Sequence, residues 1–139
     1  QCDWSSDVCS SDLSAKVLSY AINASTGALS YSSSQSTGTT PRAIALSSDG
    51  THAYVANAGS ATVSQYLVSG GSLTPMATRT VATGTTPSGI AITPDNARLY
   101  VSNAGDGTLS QFSVGSGGAL SALSPATVST GGLAASAFL

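Results

Sequence analysis

Residues 38–59 read GTTPRAIALSSDGTHAYVANAG, and residues 84–105 read GTTPSGIAITPDNARLYVSNAG. The two blocks are 46 residues apart, and at that offset Pro41 maps to Pro87, Tyr54 to Tyr100 and Asn57 to Asn103. A fixed period of this length means one supersecondary unit used again, so the fold is an array. The period runs beyond the blocks. Tyr20, Tyr66 and Phe112 follow the same 46-residue step in VLSYAI, VSQYLV and LSQFSV. Small-Leu pairs come next, at Ala28-Leu29, Ser72-Leu73 and Ala119-Leu120. Thr-Gly recurs at 37–38, 83–84 and 130–131, the last interval lengthened to 47 by one extra residue in VGSGGAL. Gly-rich surface turns tolerate such insertions.

Alternation gives the local structure. In Arg42-Ala43-Ile44-Ala45-Leu46 and Ser88-Gly89-Ile90-Ala91-Ile92 the large apolar side chains take every second place, with Ala or Gly between. Period two is a strand signal. Large residues on one face and tiny ones on the other suit a strand packed closely on both sides. The segments 52–56 and 98–102 are rich in aromatic and β-branched residues and read as the next strands. Asp49-Gly50 and Asp95-Asn96 tolerate positive φ and close tight hairpins between them. A third strand is expected over 61–68 and 107–114, and a fourth over 72–81 and 119–128. No stretch shows helical periodicity.

Each period is therefore four short antiparallel strands. The expected fold class is all-β: a β-propeller fragment of about two and a half four-stranded antiparallel blades on a 46-residue repeat. A β-solenoid is the rival, but its rungs repeat at shorter periods and lack paired tight hairpins. The expected organisation is a partial blade over 14–37, blades over 38–83 and 84–130, and a truncated tail over 131–139. Blades cut from a ring expose apolar faces that expect neighbouring blades.

Residues 3–13, DWSSDVCSSDL, resemble the one-frame translation of a short-read sequencing adapter. Residues 1–13 are accordingly set aside as an artefact of sequence origin. The alternative reading is a native extracellular segment closed by a Cys2–Cys9 disulfide. Without this segment the formal charge moves from −2 to +1, and three Asp, four bases and no Glu remain. Such a chain offers no basic patch for nucleic acid. It has no apolar run near the roughly 18 residues of a membrane span. Low charge and freedom from Cys slightly favour an exported protein over a cytoplasmic one.

The segments TPRAIALSSDGTHAYVANAG and TPSGIAITPDNARLYVSNAG resemble the YVTN-type repeat, with YVAN at 54–57 and YVSN at 100–103. INASTGALS and the strand after it resemble the same repeat in bacterial lactonase-family propellers, the 6-phosphogluconolactonase-like group. The resemblance covers Ser14 to about Gly131. It implies a seven-bladed ring, a lactone or other sugar-derived small-molecule ligand and a hydrolase in the full-length parent. Kelch and WD40 repeats fit worse, for want of a Trp-Asp pair and the kelch aromatic spacing.

Chemistry-bearing residues are few. Arg42 follows Pro41 where the inner strand begins, an end that can open on a central channel, so it is the candidate ligand contact for an anionic group. Its repeat partner is Ser88, which makes the property blade-specific. Asp49, Asn57, Asp95 and Asn103 recur between copies. Recurrence argues for a structural turn role, through an αL backbone or an Asx hydrogen bond. His52, the sole histidine, corresponds to Arg98 and reads as a solvated turn residue. Asp106 is replaced by Ser60 in the other copy. Asn23-Ala24-Ser25 matches a glycosylation sequon of a kind that arises often by chance. No His/Cys cluster or Asp-rich loop suggests a metal, and no phosphate-cradling motif suggests a cofactor. No catalytic residue can be assigned. Two classes of function stay open: a lactone hydrolase whose machinery lies in other blades, and a non-catalytic exported propeller for ligand or protein binding. Neither would leave this fragment active by itself.

Overall fold

A computed structural model of the chain describes residues 15–131. The adapter-like segment, the Cys2–Cys9 alternative and the tail after Gly131 lie outside the described residues. The strands run β1 (Lys16–Ile22), β2 (Leu29–Ser36), β3 (Pro41–Leu46), β4 (His52–Asn57), β5 (Thr62–Ser69), β6 (Ser72–Ala82), β7 (Pro87–Ile92), β8 (Arg98–Asn103), β9 (Thr108–Val114) and β10 (Leu120–Ser129). They form a two-stranded sheet, β1-β2, and two four-stranded sheets, β3-β4-β5-β6 and β7-β8-β9-β10. Every pairing is antiparallel. These are two whole blades of an all-β propeller and the outer half of a third. We call them the half blade, the middle blade and the last blade.

The alternation seen in sequence fixes how blades stack. Facing residues of antiparallel strands share a face. Ile90 pairs with Val101 and Ile92 with Leu99, so all four point to the middle blade. There they meet Tyr54, Ala56, Val63 and Ala43, with Phe112 and Leu120 completing one apolar cluster. Small residues on β3 thus receive the branched residues of β7, and the two inner strands lie side by side. The other face of the middle blade packs Ala53, Val55, Tyr66 and Leu73 against Val17 of the half blade. β4 is covered from both sides, which is why Ala53 to Asn57 are all buried. Ile44 and Leu46, the repeat equivalents of Ile90 and Ile92, are 52% and 57% exposed. The half blade has no inner strands among the described residues to cover them.

Polar ties cross the same interfaces. The Tyr54 hydroxyl donates to the Gly118 carbonyl (2.7 Å), and the Tyr66 hydroxyl to the Ser36 carbonyl (2.6 Å). Gln65 is wholly buried. Its Nε2 donates to Thr78 O (2.9 Å) across an interruption in the β5–β6 pairing, and its Oε1 accepts from Leu120 N (2.8 Å) of the last blade. Gln111 spans the corresponding interruption in the last blade through Pro125 O (3.1 Å).

Candidate functional site

The blades have two ends, and each gathers chemistry. At the upper end the chain enters each inner strand beside the loop that joins the second strand to the third. Ala58 N and Gly59 N donate to Thr40 O and Thr39 O (2.8 and 3.0 Å). Ala104 N and Gly105 N repeat this on Thr86 O and Thr85 O (3.0 Å each). Thr40 and Thr86 sit at φ +53° and +52°. That is a costly region for a β-branched residue, of order 1–3 kcal/mol.

Asn57 and Asn103 close the upper frame. Each is the last residue of its strand and fully buried, and neither is among the positive-φ residues. Asn57 Nδ2 donates to Ser64 Oγ (2.9 Å) and Thr62 Oγ1 (3.2 Å). Asn103 Nδ2 does the same to Ser110 Oγ and Thr108 Oγ1 (2.9 Å each). The amide therefore staples one strand to the next. Its Oδ1 has no hydrogen-bond partner in either blade among the described residues. The repeated sequence signals for this device are Thr62-Val63-Ser64 and Thr108-Leu109-Ser110.

Arg42 lies just inside this frame, in a β-bulge. The β3–β4 register shifts between Pro41 and Ala43, and the β7–β8 register shifts between Pro87 and Gly89. Bulges re-aim the extra side chain. In the last blade that side chain is Ser88, whose Oγ lies 3.2 Å from Ser102 Oγ. Ser102 shares the face of Tyr100 and Ala91, which looks away from the middle blade. Arg42, in the same bulge one blade earlier, is exposed. It has no ion-pair or hydrogen-bond partner among the described residues. Asp106 is at the same end. Its Oδ2 accepts from Thr85 N (2.7 Å) and its Oδ1 from the Thr108 hydroxyl (2.6 Å). Those bonds, the Thr108 hydroxyl foremost, hold its carboxyl below the usual carboxylate range.

The lower end holds an open cleft of about 380 Å³ between the two whole blades, lined by Asp49, His52, Tyr54, Asp95, Asn96 and Gly118 among others. Its polar groups are spent on the frame. Asp49 Oδ1 accepts from the Ser47 hydroxyl, Thr51 N and the Thr51 hydroxyl. Asp95 Oδ1 accepts from the Thr93 hydroxyl and Ala97 N. Gly50 and Asn96 hold the equivalent left-handed place in the two hairpins, at φ +68° and +56°. His52 Nδ1 lies 2.7 Å from Thr51 Oγ1, and Nε2 donates to Gly117 O (3.1 Å). His52 is half-buried and ties the middle blade to the longer turn of the last one. A Cβ on Gly118, itself at φ +80°, would run into that imidazole. The Tyr54 phenol is pushed up to about 12 by burial and then by the Asp49 charge, so it keeps its proton as a donor.

Among the described residues no group of three or more His, Cys, Asp or Glu could hold a metal ion. No helix there is long and apolar enough to cross a membrane. The sequence candidates therefore divide. Asp49 and Asp95 stand at the lower end within hairpins, Asn57 and Asn103 staple strands at the upper end, and Arg42 carries a charge with no ion-pair or hydrogen-bond partner among the described residues.

The lower-end carboxylates make the chain sensitive to acid. Hydrogen bonds from Ser47 and Thr51 lower Asp49 from 3.8 to about 2. Asp95 shifts the same way, chiefly through the Thr93 hydroxyl. A depressed folded-state pKa gives stability that is present above the unfolded value and lost as pH falls through the folded one. Urea midpoints are therefore expected to fall between about pH 3.8 and about pH 2. Asp49→Asn should flatten that limb. An unchanged limb in the variant would show that the hairpin bonds do not favour the ionised form.

The blades, their stacking order and the upper-end frame define a β-propeller of repeated YVTN-like units. The chain belongs to the lactonase family: the model described as "Lactonase, 7-bladed beta-propeller" matches residues 5–133. It is similar to a solved protein from Lactobacillus plantarum at 28% identity and TM-score 0.73, over 84% of this chain and 36% of that one. A candidate 6-phosphogluconolactonase from Bacteroides uniformis matches at 21% identity and TM-score 0.70, over 78% of this chain and 34% of that one. The periplasmic gluconolactonase of Pseudomonas aeruginosa matches at 21% identity and TM-score 0.69, over 78% and 32%. The chain thus spans about a third of the length of these structures. No curated protein matches it.

Proposed function

We propose that the chain is part of a longer propeller that opens sugar lactones, with the upper end of its inner strands facing the substrate. The observation that carries this is Arg42: an exposed guanidinium without a partner among the described residues, re-aimed by a bulge on the innermost strand. The family, and the likeness in fold to the periplasmic gluconolactonase of Pseudomonas aeruginosa, support a sugar lactone as the substrate class. In the reaction, water adds to the carbonyl carbon, the ring C–O bond breaks and a hydroxy acid is released. A guanidinium can hold the carbonyl oxygen as it gains charge, or an anionic substituent of the sugar. The water proton must pass to a base. Asp106 is poorly suited, because its hydrogen bonds keep it ionised with little affinity for a proton. The base is therefore assigned to blades outside this chain.

The test is the full-length parent, assayed against δ-gluconolactone and its 6-phosphate. Turnover above the spontaneous rate is expected. Arg42→Ala should cost about tenfold in kcat/KM, the size of one charge-assisted hydrogen bond. Absence of turnover with either lactone would overturn the reading. A second reading, a non-catalytic exported propeller that binds sugar acids or a protein, is favoured by one observation: the upper end holds neither a histidine nor an unengaged carboxylate among the described residues. Binding of gluconate without lactone turnover would select it.

A further inference from the structure

Two threonines at the upper end are strained for no reason found inside the chain. Thr40 and Thr86 hold the same repeat position, just before the inner strand, and lie at φ +53° and +52°. Glycine and asparagine take such a conformation most readily. The repeat uses them at its other left-handed positions: Gly50 and Asn96 in the two hairpins, and Gly107 where the middle blade has Ala61. Only the position before the proline keeps a β-branched residue in both whole blades. Strain of this kind clusters at ligand clamps, where the surrounding structure enforces it. The hydroxyls take no part in the frame. Thr37, Thr62, Thr83 and Thr108 each engage theirs with a neighbour. Those of Thr40 and Thr86 have no hydrogen-bond partner among the described residues. The junction between the whole blades shows this position from both sides, Thr40 with the following blade in place and Thr86 with the preceding one. Neither neighbour supplies the hydroxyl with a partner. Each hydroxyl lies instead over an exposed loop glycine: a Cβ on Gly59 would stand 2.8 Å from Thr40 Oγ1, and one on Gly105 2.8 Å from Thr86 Oγ1. Neither glycine has a positive φ, so what the repeat uses there is the lack of a side chain.

We infer that Thr40 and Thr86 are specificity-determining residues, their hydroxyls hydrogen-bonding the ring hydroxyls of a sugar-derived ligand; this rests on the sugar-lactone reading above. Two residues further along each strand stands the bulge side chain, Arg42 in one blade and Ser88 in the next. Each blade thus sets a constant hydroxyl, able to donate and to accept, beside a position that varies. The guanidinium suits a carbonyl or an anionic group, and the constant hydroxyls suit the neutral polyol. A hydroxyl held in place by its backbone loses little freedom on binding.

The experiment sets two lactones before the full-length parent: δ-gluconolactone, and δ-valerolactone, the same ring without hydroxyl groups. Thr40→Val and Thr86→Val keep the β-branch and remove the hydroxyl. Each should raise KM for δ-gluconolactone about fivefold, the size of one neutral hydrogen bond, and leave kcat and the melting temperature as they were. Turnover of δ-valerolactone should not respond. Thr40→Ser and Thr86→Ser should keep the wild-type KM. Thr86→Gly should melt higher, because it releases the strain, and still lose about the same fivefold. Equal losses on both lactones, an unchanged KM for δ-gluconolactone in both Val variants, or a lower melting temperature in Thr86→Gly would overturn the inference, since each makes threonine a choice of the frame. If δ-valerolactone is inert, the split between KM and kcat and the Ser variants decide. If wild type opens neither lactone, the hydrolase reading fails by itself, and gluconate binding by calorimetry decides this one. Weaker binding by the Val variants then supports it; equal binding, or none in wild type, overturns it.

Discussion

Leu99→Ala is expected to remove about 2–5 kcal/mol of stability, read as a fall in the urea midpoint. Leu99 is wholly inaccessible and stands in the cluster that joins the middle and last blades. Truncation there loses the transfer energy of three carbons and leaves a hole between two sheets. Sheets held in register by strand pairing cannot close such a hole by local collapse, which puts the cost in the upper half of the range. Ile44→Ala is the internal control. Its repeat equivalent Ile90 packs in the same cluster as Leu99, but Ile44 itself is half exposed. Its truncation should cost under about 1 kcal/mol, although the two isoleucines hold the same place in the repeat. Equal effects at Ile44 and Ile90 would mean that stacking between sheets contributes little. A reduced m-value in Leu99→Ala would mean that the blades unfold separately.

Gly84→Ala should cost about 3 kcal/mol, at the high end for overpacking. A Cβ at Gly84 would lie 2.6 Å from Asn103 Nδ2 and 2.8 Å from Asn103 Cγ. Asn103 cannot retreat without breaking its bonds to Thr108 and Ser110. Gly84 N also donates to Ser110 Oγ (3.1 Å), so the backbone is held as well. The same contact recurs between Gly38 and Asn57. Gly27 gives the contrast, since nothing lies within 4 Å of its added Cβ, and any cost there comes from φ +73° alone. A melting temperature for Gly84→Ala within a degree of wild type would sink the close-packed frame. The change should also alter the surroundings of Asp106, whose Oδ2 is 2.5 Å from that Cβ.

The strands and their partners were legible because the information is local and written twice. Alternation in Arg42–Leu46 and Ser88–Ile92 names the faces, and Asp49-Gly50 and Asp95-Asn96 name the hairpins. Side-chain roles that depend on a second strand were not legible. Asn57-Ala58-Gly59 looks like a turn when read along the chain, yet Asn57 spends its amide on Thr62 and Ser64. Gln65 and Gln111 also recur, but only three-dimensional pairing shows that each fills an interruption in its outer strand. His52 reads as a solvated turn residue because its partner, Gly117 O, is 65 residues away in the next blade. The bulge at Arg42 left no mark in composition, since it is one residue of register between strands whose lengths do not change. For the site, the sequence could name Arg42 but not say that it is without a counter-charge.

The paired bulges also bear on how such rings diversify. Each whole blade fixes its backbone with Thr-Pro, Gly and Asn, then offers one displaced position that the ladder does not use, Arg42 in one and Ser88 in the next. Selection can rewrite that position in a single blade without disturbing its neighbours. A scaffold built this way can vary such a position by single-codon steps, while the stacked sheets carry on unaltered.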